Sequence, residues 1–152
     1  MVDHAGSDAR RLTVDEILRE ASTLLETVRG FAPAQVLLAA DILVSALKSR
    51  NKVLVFGNGG SASDAEHLAA ELVGRFARDR QGWPAISLTA DSSVVTAIGN
   101  DYGFDQIFAR QVEALGRQGD IAFAISTSGK SANVIAGLEA AERGGLRRIA
   151  LT

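Results

Sequence analysis

The segment VLVFGNGGSA, residues 53–62, decides the fold. Its first part, 53–56, is a short unbroken apolar run, which is typical of a parallel β-strand buried on both faces. The glycine-rich stretch 57–60 then predicts a tight loop, and a helical pattern follows from Ser61. A strand that leads through a glycine-rich loop into a helix is the first unit of an α/β fold.

The same alternation continues to the end of the chain. Further strands are predicted over 85–88, 121–125 and 148–151. The intervening helices are predicted over 61–78, 92–98, 105–117 and 131–143. Because parallel strands need crossover connections, this order predicts an open parallel sheet with helices on both faces, a Rossmann-like arrangement in three layers.

Two helices are predicted ahead of the first strand, over 13–30 and 33–49, from apolar spacings of three and four. The polar segment 1–11 is predicted as a loose leader, so that a single folded domain spans 12–152. The chain stops at Thr152, at the end of the last predicted strand, where a ligand-binding loop is expected in this class of fold. We therefore expect the native chain to continue.

The composition excludes several classes of protein. Hydrophobic residues make up 47% of the 152 residues and charged residues 22%, so the chain can bury a core. A net charge of −2 without a basic run argues against nucleic acid as a partner. The lack of cysteine excludes disulfides, thiolate metal sites and cysteine nucleophiles. Without a signal peptide or an unbroken apolar run of about 18 residues, we expect a cytoplasmic protein and no membrane partner.

The loop 57–62 matches the G-x-G-x-x-G/A pattern of dinucleotide-binding folds. That pattern also needs an acidic residue about 20 positions later, which holds the ribose. The nearest acid after the second predicted strand is Asp91, 34 residues after Gly57. This spacing argues against NAD and leaves two interpretations, an anion site at a helix N-terminus or a plain turn between strand and helix.

A second loop, STSGKS over 126–131, follows the third predicted strand. Its end mimics a P-loop, but that pattern requires glycine where Ala124 stands, which argues against nucleotide hydrolysis. Four hydroxyl side chains before a helix form a neutral hydrogen-bonding cradle suited to a phosphate monoester. Serines that only cap the helix are the alternative, and their position at the carboxyl end of a strand favours the phosphate site.

Two further features are ambiguous on spacing alone. The segment GNDYG over 99–103 is typical of a turn. His67 and Glu71 lie four residues apart on one face of a predicted helix, where they could bind a metal or act as acid and base. A solvated surface pair is the alternative, and two ligands do not complete a zinc site.

Together these segments resemble the sugar-isomerase (SIS) domain and, within it, the phosphoheptose isomerases. The resemblance runs from about Leu12 to Thr152 and rests on three motifs in matching order and spacing. These are GNGGSASDAEHLAAELVGRF over 57–76, PAISLTADSSVVTAIGNDYGFDQIF over 84–108 and GDIAFAISTSGKSANVI over 119–135. It implies an aldose–ketose isomerase that converts sedoheptulose 7-phosphate to D-glycero-D-manno-heptose 7-phosphate through an enediol, in heptose biosynthesis.

The resemblance also implies which residues form the site. Those that would bind the sugar phosphate are Asn58, Gly59, Gly60, Asn100, Asp101, Ser126, Thr127, Ser128 and Ser131. His67 and Glu71 would bind one zinc ion, and Glu71 would also transfer the proton. The family completes this site with a glutamine and a second histidine on a helix after the last strand, and this chain ends before either. We therefore expect sugar-phosphate binding to be better preserved than catalysis.

The family resemblance further implies a homotetramer, with the N-terminal helices bundled between subunits and the active sites at the interfaces. Two other functions remain open. Some SIS relatives are regulators that bind a replication-initiator protein, and by the same resemblance they lack the carboxylate found here at Glu71. Others would bind a sugar phosphate as sensors without converting it.

Overall fold

A four-stranded parallel sheet with strand order β2-β1-β3-β4 lies at the centre of the fold. The strands are β1 (Val53–Gly57), β2 (Ala85–Ser87), β3 (Ile121–Ile125) and β4 (Arg147–Leu151). β1 pairs with β3 over its whole length, from Val53 opposite Ile121 to Gly57 opposite Ile125. The predicted parallel sheet is confirmed, and the apolar run of β1 is fully buried as a central strand should be.

One long helix precedes β1 and the others connect the strands near their predicted positions, except that the helix predicted over 105–117 is split into a 3-10 helix and a shorter α-helix. The helices are α1 (His4–Lys48), α2 (Gly60–Val73), α3 (Ser92–Tyr102), a short 3-10 helix (Phe104–Gln106), α4 (Ala109–Leu115) and α5 (Ala132–Arg143). The computed structural model describes the backbone of residues 4–152 and the side chains from Thr13 onward. The chain divides into two units, Met1–Ala40 and Asp41–Thr152, and the domain predicted over 12–152 has parts in both.

Both faces of the sheet are covered, which confirms the three-layer prediction. On one face, side chains of β1 and β3 pack with α4, α5 and Ile107 around Phe56 and Phe108, whose ring centroids are 5.1 Å apart. On the other face, Val53 and Val55 pack with Ala65 of α2 and Leu47 of α1. The alternate side chains of β1 thus point into two separate cores.

The second helix ends at Val73, before the predicted end at residue 78. The guanidinium group of Arg80 folds back and donates hydrogen bonds to the carbonyl oxygens of Glu71 and Leu72, at 2.8 and 2.9 Å. A cation at a helix C-terminus satisfies carbonyl groups that have no partner within the helix. The chain beyond Val73 is therefore free to form a loop that leads to β2.

A single helix replaces the two N-terminal helices that the sequence predicts. α1 runs without interruption through Gly30 and Pro33. A proline in a helix removes one hydrogen bond at a cost of about 3 kcal/mol, which many good helix formers along a helix can offset. The helix begins at His4, inside the segment 1–11 predicted as a leader, and residues 1–3 lie outside the described residues.

Much of the apolar surface of α1 is exposed. Its exposed large apolar side chains are Val14, Ile17, Leu18, Leu24, Leu25, Phe31, Val36, Leu37, Leu38 and Val44. By length and composition alone, the stretch Thr13–Lys48 could cross a membrane, with a mean hydropathy of 1.7 over its most apolar 18 residues. One such helix near an N-terminus is a weak indication of a membrane span. Exposed apolar area of this extent is typical of a contact surface.

A buried carboxylate joins β1 and β3 at their amino ends. Asp120 is 2% exposed and accepts hydrogen bonds from the backbone N–H groups of Lys52 and Arg117, both at 2.9 Å. The ammonium group of Lys52 also contacts this carboxylate. A buried charge is tolerated only when it is paired and hydrogen-bonded, and these three donors meet that condition.

The packing of α5 on Phe56 and Phe108 is testable through Gly137. A Cβ atom at this position would lie 2.9 Å from Cε2 of Phe56 and 3.1 Å from Cβ of Phe108. We expect Gly137→Ala to lower the free energy of unfolding by about 1–3 kcal/mol, as overpacking of a core does.

Urea denaturation measures this effect, and Gly30→Ala is the matched control. A Cβ at Gly30 meets nothing within 4 Å, so the same substitution there should be neutral or raise stability by up to about 1 kcal/mol through helix propensity. Equal stability of the wild type and the Gly137→Ala variant would contradict the tight packing of α5 on the sheet.

Candidate functional site

The crevice of the sheet lies between β1 and β3. From β1 the chain passes to β2 on one side, and it then crosses to β3 on the other side. In open α/β sheets, ligands bind outside the carboxyl ends of the strands at such a reversal of strand order. The loops 57–60 and 126–131 start here as neighbours, because Gly57 is paired with Ile125.

The first loop turns the chain from β1 into α2 through two glycines. Gly59 has a φ of 58°, in the left-handed region that glycine adopts without strain. The first backbone bond of the turn runs from the N–H of Ser61 to the carbonyl oxygen of Asn58 at 3.0 Å. The N–H groups of Gly59 and Gly60 precede this bond, so they are available to an anion at the helix N-terminus.

The second loop places four hydroxyl groups ahead of α5. Ser126 is buried, and its Oγ lies 3.4 Å from Oγ of Ser131 and accepts the N–H of Gly129 at 3.2 Å. Thr127 and Ser128 are exposed on the same loop. The four hydroxyl groups thus lie within the six residues that precede α5, and their role as a phosphate cradle stays a prediction.

A pair of side-chain amides joins the two loops. Nδ2 of Asn58 donates to Oδ1 of Asn133 at 2.8 Å, and Nδ2 of Asn133 donates back to Oδ1 of Asn58 at 2.9 Å. Asn133 is 3% exposed, and sequence reasoning missed it. Its signal is its place on the buried stripe of α5, in line with Gly137 and Ala140, where an apolar residue is expected.

The segment 99–103 is not the turn that the sequence predicts, since its residues through Tyr102 complete α3. Asn100 and Asp101 lie in the last turn of this helix, where Nδ2 of Asn100 donates to Oδ1 of Asp101 at 2.8 Å. Both side chains are exposed. Their assignment to the sugar-phosphate site therefore stays a prediction.

Asp91, the acid weighed against a dinucleotide pattern, has a structural role. Its carboxylate precedes α3 and accepts the N–H groups of Ser93 and Val94 at 3.0 and 3.1 Å. This is the geometry of a helix N-cap. One carboxylate oxygen, Oδ1, thus accepts both bonds and caps the helix.

His67 and Glu71 lie on the outer face of α2. Nε2 of His67 is 3.3 Å from Oε1 of Glu71, and the two side chains are 75% and 36% exposed. They line a groove of about 730 Å³ whose apolar wall includes Leu68, Phe76 and Trp83. The pair is therefore open to a ligand or to a second chain.

This pair is separated from the two loops along the helix. His67 and Glu71 come seven and eleven residues after Gly60, the first residue of α2. At 1.5 Å per residue, they lie about 10 and 16 Å along the helix axis from its N-terminus. The structure thus brings the loops together but places the predicted metal ligands further along the same helix.

The donor set at His67 and Glu71 suits zinc in type, because imidazole nitrogen and carboxylate oxygen are both zinc ligands. Within residues 13–152, no group of three or more His, Cys, Asp and Glu side chains is placed to hold a metal. A zinc site needs three or four protein ligands. The described part of the chain therefore fits zinc as two ligands of a larger set.

Comparison with known proteins agrees with this geometry. Residues 16–152 match the model of the SIS domain family. The phosphoheptose isomerase of Geotalea uraniireducens is 52% identical over 141 residues, which are 91% of this chain and 75% of that protein. The chain belongs to the phosphoheptose isomerase family of SIS domain proteins. The phosphoheptose isomerase of Aquifex aeolicus is 53% identical over 139 residues, 91% of this chain and 73% of that protein.

Solved structures of phosphoheptose isomerases share the fold. The one from Neisseria gonorrhoeae superimposes with a TM-score of 0.86 at 41% identity, over 92% of this chain and 73% of that chain. The one from Francisella tularensis gives a TM-score of 0.83 at 40% identity, over 92% of this chain and 75% of that chain. The SIS fold predicted from the sequence is therefore confirmed.

The close approach of the two loops is testable at Gly57. A Cβ atom there would lie 2.6 Å from the carbonyl oxygen of Ile125 and 2.8 Å from Cβ of Ser61. A strand backbone cannot move away cheaply, so we expect Gly57→Ala to cost about 1–3 kcal/mol of unfolding free energy and to widen the crevice.

Thermal unfolding measures the loss of stability in the Gly57→Ala variant, and titration with phosphate measures the effect of the wider crevice on binding. Gly99→Ala is the matched control, because a Cβ at Gly99 makes only ordinary contact with Ile107 at 3.8 Å. Wild-type stability in the Gly57→Ala variant would contradict the contact between β1 and β3 at the crevice.

Proposed function

We propose that this chain is an aldose–ketose isomerase that converts sedoheptulose 7-phosphate to D-glycero-D-manno-heptose 7-phosphate in heptose biosynthesis. The observation that carries the proposal is the pair of loops at the β1–β3 crevice, in a chain 52% identical to a phosphoheptose isomerase. One loop offers backbone N–H groups and the other offers hydroxyl groups. Both suit a phosphorylated sugar.

The phosphate binds at the second loop in this proposal. Ser126, Thr127, Ser128 and Ser131 donate hydrogen bonds to its oxygens, and the N-terminus of α5 adds favourable dipoles. The first loop, with Asn58, Gly59 and Gly60, and the end of α3, with Asn100 and Asp101, contact the sugar hydroxyl groups. The contacts are largely neutral, so they fix the sugar phosphate by hydrogen-bond geometry rather than by net charge.

Glu71 carries the proton in the chemical step. Its carboxylate removes a proton from C1 of the ketose while the C2 carbonyl oxygen gains one, which gives an enediol; a proton is then returned to C2 as the hydroxyl group on C1 loses its own. The carbonyl group thereby moves from C2 to C1 with no change in atoms or electrons. A zinc ion held in part by His67 and Glu71 would supply electrostatic stabilisation of the developing oxyanion.

The distance along α2 supports a site shared between copies of the chain. The two loops lie at the N-terminus of this helix, whereas Glu71 lies about 16 Å further along its axis. The groove beside Glu71 is apolar and open, and α1 exposes a long apolar surface. We propose a cytoplasmic homotetramer in which the loops of one subunit face α2 of another.

The main alternatives are regulators of the same fold, which bind a replication-initiator protein or sense a sugar phosphate. Glu71 favours the isomerase, because a protein that only binds has no need of a proton-transferring carboxylate. The two classes differ in what they bind and in whether the bound sugar reacts. Both differences can be measured.

Ligand binding is testable by thermal shift of this chain with sedoheptulose 7-phosphate, with ATP, NAD and inorganic phosphate as controls. A ligand that binds only the folded state stabilises it by about 2.7 kcal/mol at a hundredfold excess over Kd. We expect the largest rise in Tm with the heptose phosphate and none with NAD. Stabilisation by NAD or ATP alone would sink the proposal, and recovery of an initiator protein without sugar binding would favour a regulator.

The role of Glu71 is testable by proton exchange at C1 of the sugar in D2O, followed by NMR. Glu71→Gln removes the base but keeps the size of the side chain, so we expect exchange to slow by a factor of about 10²–10⁴. Glu139→Gln, an exposed carboxylate on α5, is the matched loss of charge and should exchange like the wild type. Unchanged exchange in the Glu71→Gln variant would remove Glu71 from the mechanism.

A further inference from the structure

Asn133 has no part in the proposed function described above, and its side-chain amide forms a reciprocal pair with that of Asn58. Each amide uses its carbonyl oxygen and one N–H in the pair, at 2.8 and 2.9 Å, so the two side chains form a closed ring of hydrogen bonds. Asn133 is 3% exposed, and this partner keeps its polar atoms satisfied in the core. Replacement of Asn58 would leave the buried amide of Asn133 without its partner, and replacement of Asn133 would leave the half-buried amide of Asn58 without one.

The pair links the parts of the crevice that bind the ligand in the proposed function. Asn58 lies two residues before the start of α2, and Asn133 is the second residue of α5. The two residues are 75 positions apart in the sequence. The ring therefore fixes the N-termini of two helices relative to each other, directly at the point where the loops diverge.

We propose that Asn133 is a positioning residue, which holds Asn58 and the loop 57–60 at the spacing from the loop 126–131 that a phosphorylated sugar requires. The inference rests on the proposed function for the identity of the ligand, but not for the link between the loops. Two loops that are already held in place lose less conformational entropy when a ligand bridges them. Loss of the ring should therefore weaken binding without removing any group that touches the ligand.

Asn133→Asp tests the ring through its protonation state. A neutral carboxyl group can replace the amide, because its O–H donates to Oδ1 of Asn58 and its C=O accepts from Nδ2. An ionised carboxylate still accepts the bond from Nδ2 of Asn58, but its other oxygen faces Oδ1 of Asn58, and the two oxygens repel each other. Burial raises the pKa of this carboxyl group, so the ring is retained at low pH and lost as the pH rises.

Calorimetry between about pH 5 and 8 measures the affinity of the variant for sedoheptulose 7-phosphate. The ratio of this affinity to the wild-type value at each pH reports the loss of the ring. We expect a ratio near one at low pH and about tenfold weaker binding at high pH. Asn133→Ala removes the ring at every pH and should bind about tenfold more weakly throughout. It also serves where the aspartate variant does not fold at high pH.

Hydrogen exchange provides a readout that needs no ligand. The N–H groups of Ser61, Ala62 and Gly129 make backbone bonds within the two turns. At high pH, these three backbone amides in the Asn133→Asp variant should exchange their hydrogens faster than the loss of global stability alone predicts. Asp120→Asn is the matched control. It replaces a carboxylate by an amide, the reverse of Asn133→Asp, at a residue that is 2% exposed and lies at the opposite end of β3. It should change global stability without this local effect.

The outcomes separate the two proposals. Wild-type affinity in both Asn133 variants, or exchange at Ser61 and Gly129 that only follows global stability, overturns the positioning role and leaves the isomerase in place. Failure of the wild-type chain to bind sedoheptulose 7-phosphate, with local exchange as expected, supports the link between the loops and contradicts the proposed function.

Discussion

The pairing of β1 with β3 is the constraint on which the rest of the structure depends. The two strands run side by side over five residue pairs, and buried polar groups join them at both ends. At the amino end, the carboxylate of Asp120 accepts the N–H groups of Lys52 and Arg117. At the carboxyl end, the side-chain amides of Asn58 and Asn133 hydrogen-bond to each other. The β1–β3 pairing and these hydrogen bonds fix the positions of both loops of the crevice. Apolar packing alone is non-directional and would leave their relative positions less well defined.

The sequence predicts the sheet and the crevice well because both depend on local patterns. A short apolar run that ends in glycine is typical of a buried strand, and the order of strands and helices restricts the topology. The uninterrupted α1 was not predictable in the same way, since Gly30 and Pro33 are ordinary signals of a helix end. Whether such signals act depends on the total propensity of the neighbouring residues.

Contacts that follow no helix or strand period are the part that sequence patterns cannot supply. The end of α2 depends on Arg80, which reaches back to Glu71 and Leu72 and also lies 3.9 Å from the ring centre of Trp83. The role of Asn133 depends on Asn58, which a different loop presents. Spacing predicts that His67 and Glu71 share a face of one helix, but their separation from the loops follows from the length of that helix.

The strand order also has a consequence for synthesis of the chain. β1 needs β3 as its neighbour, but β3 follows 68 residues later, counted from Val53 to Ile121. A growing chain therefore presents the apolar run 53–56 with an open edge until the residues of β3 have left the ribosome. Exposed strands of this kind are prone to aggregate during slow non-local folding. Cellular yield should thus depend on chaperone capacity more strongly than the stability of the finished fold suggests.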